Sequence, residues 1–428
     1  MASSQALPGA AVHEEAPASA RAACRFCNAP LGHTVIDLGL SPLCESFVRP
    51  ERANEPEPFY PLHVWVCDRC LLVQLEEYVP PAEIFTEYAY FSSFSTTWVE
   101  HARRYAADMI ERLPLSGESF VVEVGSNDGY LLQHFVEREV PVLGIEPAAN
   151  VAERAVERGV PTLVEFFGEE TARRVAAERG QADLVLGNNV LAQVPDLNDF
   201  VAGLAALLAD DGVLTLEFPH LVNLIEGNQF DTIYHEHFSY FSLLTTRAIL
   251  DAHGLEVFDV EELPTHGGSL RVYAQRRGGR REVADSVSAL LRREDELGFG
   301  TLAPYASFAA RVEETKRALL EFLIGAKRRG AAIAGYGAPG KGNTLLNYCG
   351  IRTDFLDYTV DRNPYKHGLL LPGTRIPIFP PERLAETRPD YILILPWNLR
   401  DEIVRQLDYA RAWGAQFVIP IPTVEVMP

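Results

Sequence analysis

The sequence predicts an α/β chain in which a small cysteine-bearing N-terminal domain precedes two Rossmann-like modules. Three observations predict it. Two C-x-x-C pairs stand near the N-terminus, Cys24/Cys27 and Cys67/Cys70. An apolar strand runs into a glycine turn and a helix at Gly125-Ser126-Asn127-Asp128-Gly129. The same order recurs at Gly335-Tyr336-Gly337-Ala338-Pro339-Gly340. Strand, glycine turn and helix in that order open a doubly wound parallel sheet. A chain of 428 residues has room for two or three such units.

Composition sets the outer bounds. An apolar share of 47% with 23% charged residues is that of a core-forming protein. A net charge of −21 opposes any broad grip on DNA or RNA. It leaves room for a small phosphorylated ligand, which backbone N–H groups and a few local cations can hold. No apolar run approaches the ~18 residues of a membrane span, so no membrane partner is expected. Residues 1–22 are rich in Ala, Ser, Pro and Glu and lack a positive n-region. They read as a disordered tail rather than a signal peptide. A cytoplasmic protein follows, and its six cysteines read as metal ligands or free thiols before disulfides.

Residues 23–80 are assigned to the cysteine domain. Cys24, Cys27, Cys67 and Cys70 supply four thiolates, the number a closed tetrahedral zinc site needs. Four thiolates leave no open position, so the role is structural. The gap between the pairs exceeds short-ribbon spacing, and the intervening residues must loop out. Cys44 and Cys349 are unpaired in sequence and read as structural.

Residues 81–277 carry the first Rossmann-like module. Hydroxyls beside aromatics in Glu87-Tyr88-Ala89-Tyr90-Phe91-Ser92-Ser93 make Tyr88 a candidate site residue. A helix is expected over Trp98–Leu113, then a strand over Ser119–Val124. The strand enters the turn holding Gly125, Asn127, Gly129 and Leu131, candidate ligand contacts because glycine permits close backbone approach. Glu146 ends the strand Val142–Ile145, where an acid is placed to bind ribose hydroxyls. The E-x-G-x-x-x-G spacing is not the dinucleotide pattern and looks like the first motif of S-adenosylmethionine methyltransferases. Asn188 and Asn189 follow another strand and belong in the same crevice.

Next comes Tyr234-His235-Glu236-His237-Phe238-Ser239-Tyr240-Phe241. Its histidines, two apart, do not match the H-E-x-x-H zinc pattern. In an extended or loop segment His235 and His237 would point one way, Tyr234 and Glu236 the other. A histidine of near-neutral pKa suits proton abstraction, and a neighbouring carboxylate can orient it. His266-Gly267-Gly268-Ser269-Leu270-Arg271 is either a hairpin turn or a substrate contact. In the second case His266, Ser269 and Arg271 take part, Arg271 toward a phosphate or carboxylate.

Residues 278–428 hold the second module. A long helical segment is expected over Val283–Lys327, then a strand into the G-x-G-x-x-G turn. Gly340, Lys341 and Asn343 are candidate contacts to a phosphorylated ligand, against a purely architectural reading. Asp361 ends the next strand, the place of a ribose-binding acid.

The cysteine pairs, VEVGSNDGYLL, FDTIYHEHFSYFS, HGGSLR, GYGAPGKGNTLLN and LPWNLRDEI stand in one order along the chain. Together they resemble the sugar C-methyltransferases of antibiotic and surface-sugar pathways, which act on nucleotide-linked 4-keto-6-deoxyhexoses. The resemblance covers nearly all of the chain after the tail. It implies a zinc-binding N-terminal domain, a central S-adenosylmethionine domain and a C-terminal Rossmann-like domain that helps hold the nucleotide sugar. It implies His237 as base, with Tyr234, Glu236 and Tyr88 lining the sugar pocket. The implied substrate is a dTDP-linked 4-keto-deoxysugar, methylated beside the ketone at C3, with C5 the other choice, by a monomer. Two positions depart from the pattern. Gln193 stands where histidine is usual, and glutamine cannot shuttle a proton. His220 stands where tyrosine is common. The competing readings are a nicotinamide-dependent nucleotide-sugar oxidoreductase using Gly335, Gly337, Gly340 and Asp361, and a zinc-bearing nucleotide sensor.

Overall fold

The computed structural model describes residues 22–85 and 91–428. Tyr88 and all of the expected tail but Ala22 lie outside the described residues. Three sheets organise the chain. Strands Val121–Val124, Val142–Ile145 and Ala182–Asn188 are buried almost throughout. Burial on both faces is why they read as apolar runs rather than alternating ones. They sit in a seven-stranded sheet. Its order is Leu255–Leu263, Ser269–Arg276, Leu208–Pro219, Ala182–Asn188, Val121–Val124, Val142–Ile145, Thr162–Leu163. The last five are parallel, and Ser269–Arg276 pairs antiparallel with both of its neighbours. Strand order reverses about Val121–Val124, so Gly125, Glu146 and Asn188 meet at the carboxyl ends where ligands bind.

The C-terminal sheet follows the same plan. Its order is Ile378–Phe379, Tyr358–Val360, Ile333–Tyr336, Tyr391–Ile394, Gln416–Ile419, Glu425–Met427, parallel except at the last strand. Strand Ile333–Tyr336 leads through the second glycine turn into helix Gly340–Cys349.

The N-terminal sheet is antiparallel, with order His33–Ser41, Tyr60–Val66, Val73–Leu75, Ser239–Tyr240. Its fourth strand comes from the far end of the Tyr234–Phe241 stretch, with Tyr240 opposite Val73. One apolar core joins this sheet to the C-terminal module, from Val35 and Val64 through Phe308 to Ile392 and Val418. The Tyr234–Phe241 stretch is therefore pinned where all three units converge. No helix among the described residues is long and apolar enough to cross a membrane.

The expected helical segment Val283–Lys327 is two helices, Asp285–Glu296 and Ala303–Arg328. Gly298, at φ +83°, ends the first in a conformation that other residues resist. The break turns Glu294 inward. Its carboxylate, 1% exposed, accepts from Leu243 N at 2.7 Å, Leu244 N at 2.8 Å and His220 Nε2 at 2.7 Å. It thereby caps helix Leu243–Ala252 from outside and holds His220 in a buried pair. Removing one partner of a buried pair leaves the other uncompensated. Glu294→Ala should lower the unfolding free energy by about 3 kcal/mol in a urea titration. A loss below about 0.5 kcal/mol, the range of ordinary surface changes, would rule out this capping role.

Candidate active site

Each cysteine pair closes on a tight turn. Asn28 N donates to Cys24 O and Leu71 N to Cys67 O, both at 2.9 Å. Asn28 and Leu71 take φ +59° and +62°, the left-handed step that turns both thiols of a pair inward. The four Sγ atoms lie within 4.8 Å of one another, with Cys24–Cys70 and Cys27–Cys67 at 3.5 Å. Zinc bonded to four thiolates at about 2.3 Å places them about 3.8 Å apart, so the cluster fits that ion. Gln74 Nε2 donates to Cys24 Sγ at 3.2 Å and steadies the set. The centre is structural in design but close to the site. Between its first two cysteines, Arg25 donates to Pro195 O and lies over the Phe238 ring.

A cavity of about 440 Å³ opens at the carboxyl ends of the central strands, a size typical of small-ligand sites. Gly125, Asn127, Glu146, Asn188 and Asn189 line it, and so does Gln193. Gly125 has φ +69°, and a Cβ there would meet Val190 at 3.0 Å. Glu146 accepts from Asn127 N at 2.9 Å and Ala148 N at 3.0 Å, which fixes the carboxylate against the cavity. Both polar atoms of the Asn188 amide are buried without a partner among the described residues. A buried amide left open in a cavity wall is a ligand contact in waiting. An anchored acid and an open amide fit the ribose and amino-acid ends of S-adenosylmethionine. Gly129 and Leu131 do not line the cavity. They lie behind the turn, Gly129 against Ala155 and Val160, and Leu131 in the apolar core.

The Tyr234–Phe241 stretch begins as a turn, which corrects the extended reading. His237 N donates to Tyr234 O at 2.9 Å, and the two rings lie on one side with centroids 4.2 Å apart. His237 Nδ1 is 3.1 Å from Thr232 O. A carbonyl only accepts, so Nδ1 carries the proton and the lone pair sits on Nε2. Nε2 has no hydrogen-bond partner among the described residues. Burial pushes the His237 pKa down to about 4, with help from the nearby charges of His266 and Lys341. Glu236 accepts from the Cys44 thiol at 3.2 Å, so the group that orients His237 is Thr232. His235 lies 3.1 Å from Pro61 O with its ring edge-on to Tyr60.

Other elements close the cleft. His266, at φ +53°, accepts from Asn189 Nδ2 at 2.9 Å and packs on Trp98, a residue of the cofactor cavity. Lys341 Nζ donates to Asn398 Oδ1 at 3.0 Å and lies 5.0 Å over the Trp397 ring. Trp397 Nε1 donates to Asp231 Oδ2 at 2.7 Å. Burial raises Asp231 to about 6 against the pull of Lys341 and Trp397.

Several residues expected at a ligand serve the framework instead. Arg271 pairs with Glu217 at 2.6 Å and Glu261 at 3.0 Å, and Ser269 donates to Thr265 O. Burial would raise Glu217, but His101 and Arg271 hold it at about 2. Asn343 donates to Cys44 O, and a Cβ on Gly340 would meet Cys44 Sγ at 2.9 Å. Asp361 accepts from Ala338 N of the second glycine turn at 2.7 Å and from Asn363 N at 2.8 Å, the anchoring that Glu146 has in the first module. Asp231, Glu217, His101, Trp397 and Asn398 went unmarked in the sequence. Asp231 and Trp397 stood inside quoted motifs, but nothing local showed that the two motifs touch.

If zinc holds the N-terminal unit, removal has a distant effect. One equivalent of zinc per chain is expected by elemental analysis, and Cys67→Ala should lose it together with a lower melting temperature. Full zinc retention in that variant would contradict a four-thiolate centre.

Comparison with known proteins agrees with this layout. A zinc binding domain family matches residues 24–85, a methyltransferase domain family residues 98–260, and a C-methyltransferase C-terminal domain family residues 264–422. The chain is 38% identical over 404 residues to C-methyltransferase NovU of Streptomyces niveus, covering 94% of this chain and 96% of that protein. Among solved structures, magnesium protoporphyrin IX methyltransferase of Synechocystis PCC 6803 with bound SAH aligns over 42% of this chain and 83% of its own, at 17% identity and TM-score 0.34. An S-adenosylmethionine-dependent methyltransferase of Clostridium acetobutylicum ATCC 824 aligns over 42% and 92%, at 10% identity and TM-score 0.35. Likenesses that distant carry no argument about this chain. The near full-length match to NovU does: the chain belongs to the C-methyltransferase family, as an S-adenosylmethionine-dependent enzyme with a zinc-binding N-terminal domain.

Proposed function

We propose that the chain methylates a dTDP-linked 4-keto-deoxysugar at the carbon beside the ketone, with C3 favoured over C5. The observation that carries the reading is His237, held neutral by burial, with its proton on Nδ1 and no partner for Nε2 among the described residues. The sugar nucleotide itself rests on the resemblance and on the second module beside the cleft. The same reading divides the chain at 23–80, 81–277 and 278–428 and takes it as a cytoplasmic monomer.

S-Adenosylmethionine would be held by Glu146 at its ribose with Asn188 and Asn189 beside it, and would supply an electrophilic methyl group on a sulfonium. A ketone acidifies the neighbouring C–H by delocalising the carbanion into an enolate. His237 Nε2 takes that proton, and the C–H electron pair becomes the enolate, with negative charge on oxygen. Tyr234, its ring 4.2 Å from that of His237, lines the sugar pocket. The cleft must hold the nucleophilic carbon in near-attack geometry, which is what two flanking modules accomplish. The carbonyl re-forms as the carbon takes the methyl, the sulfur–methyl bond breaking with its electron pair left on sulfur, and His237 later returns its proton to solvent. Glu236 acts at one remove, by locking the turn to Cys44. With Gln193 in place of histidine, no second imidazole on that loop relieves His237.

The test is solvent deuterium exchange at the carbon beside the ketone of a dTDP-4-keto-6-deoxyhexose, with S-adenosylhomocysteine in place of the donor. Exchange is expected in the parent, and His237→Asn should slow exchange and methylation by about 10²–10⁴-fold. Equal rates in the two proteins would sink the assignment. The pH dependence has a definite sign. The base works deprotonated, and burial lowers its pKa to about 4. Activity should therefore persist as pH falls through about 6.5, where an ordinary histidine would protonate, and decline only below it.

A further inference from the structure

We infer that Lys341 is a catalytic residue that stabilises the enolate oxygen. The inference deepens the proposed mechanism and rests on it. It departs from the expectation that Lys341 meets a phosphate.

Lys341 opens helix Gly340–Cys349. Thr344, three residues on, shares its face, and Thr344 Oγ1 donates to Ile233 O at 2.9 Å. That bond ties the Lys341 face to the turn that carries His237. On the other side, Trp397 lies under the ammonium and packs against the loop of His266. A Cβ on Gly267 would come within 2.9 Å of Trp397 Cη2. The cation is therefore enclosed by the two histidine-bearing segments and the Trp397–Asn398 turn. One of its three N–H bonds goes to Asn398, and the other two have no partner among the described residues.

A carboxylate lies close to the usual phosphate seat at this turn. Glu45 stands at the helix N-terminus, with Oε1 3.7 Å from the Cβ position of Gly340, and pairs with Lys366 at 3.4 Å. A carboxylate there meets the helix dipole as a phosphate would. Cys44 Sγ closes the approach to Gly340. Lys341 instead carries its ammonium to the Trp397–Asn398 turn, beside the segments that hold His237 and His266.

Its surroundings suit an enolate. Burial lowers the Lys341 pKa, and Asp231, which accepts from Trp397, opposes that loss of charge. Burial lowers the pKa of both His237 and His266, and the Lys341 charge adds to it, so the base is neutral before reaction. As the proton leaves carbon, negative charge grows on the ketone oxygen. A preplaced ammonium with two free N–H bonds gains most at that moment, which lowers the barrier rather than tightening ground-state binding.

The experiment uses the full-length zinc protein. Deuterium wash-in beside the ketone is measured with S-adenosylhomocysteine bound, and free dTDP is titrated by calorimetry. Lys341→Met should slow wash-in by about 100-fold. Its dTDP affinity should stay within about threefold of the parent. The acid limb of the wash-in profile should move to higher pH, because removing the cation lets His237 protonate sooner. Lys341→Arg should return the limb toward the parent position. Unchanged wash-in in Lys341→Met would overturn the inference, and so would a tenfold loss of dTDP affinity with normal wash-in at saturating sugar. If Lys341→Met fails to fold, Asn398→Ala provides the same readout by releasing the ammonium. A slowed wash-in there supports the inference and an unchanged one overturns it. Absence of wash-in in the parent would instead count against the base mechanism itself.

Discussion

The hydrogen bond between His237 Nδ1 and Thr232 O sets the terms for the rest of the cleft. It fixes the tautomer, leaves the lone pair on Nε2, and holds the ring against Tyr234. Burial then keeps the imidazole uncharged near neutral pH. A base prepared in this way costs the fold something. It requires a polar ring in a desolvated place, with one nitrogen satisfied and the other open. The surrounding structure reads as the means of keeping it there.

Three units meet at this turn, and each contributes a clamp. The N-terminal sheet takes Ser239–Tyr240 as its edge strand, and Cys44 reaches Glu236. The zinc knuckle sends Arg25 to Pro195 and over Phe238. The C-terminal helix holds Ile233 through Thr344, and Trp397 holds Asp231. Glu217 joins Arg271, His101 and Thr265, steadying the loop of His266 beside the cofactor cavity. Binding energy from distant parts of two ligands can be spent at one carbon only if the parts that bind them are rigidly related. The shared core between the N-terminal sheet and the C-terminal module supplies that rigidity.

The fold was largely legible because its signals are local. Buried parallel strands announce themselves as apolar runs, and glycine turns mark where they enter helices. The four cysteines were legible for the same reason, since each pair needs only its own turn. What stayed hidden depended on distant contacts. Alternation wrongly separated Tyr234 from His237, because a single turn bond overrides the period of a strand. Arg271 looked like an anion contact, but its anion is Glu217, brought by a neighbouring strand. Asp361 accepts from Ala338 N in the second glycine turn, a contact that no local spacing shows. Asp231 and Trp397 lie far apart in the chain, and no spacing rule connects them.

The account's central claim is that His237 Nε2 faces the carbon beside the ketone. A crystal structure with S-adenosylhomocysteine and a dTDP-linked 4-keto sugar, or its unreactive analogue, tests this most directly. The account predicts that carbon within about 3.5 Å of Nε2, with Nδ1 still on Thr232 O. A sugar seated with its keto carbon's neighbours out of reach of Nε2, and another basic group in contact, would contradict it.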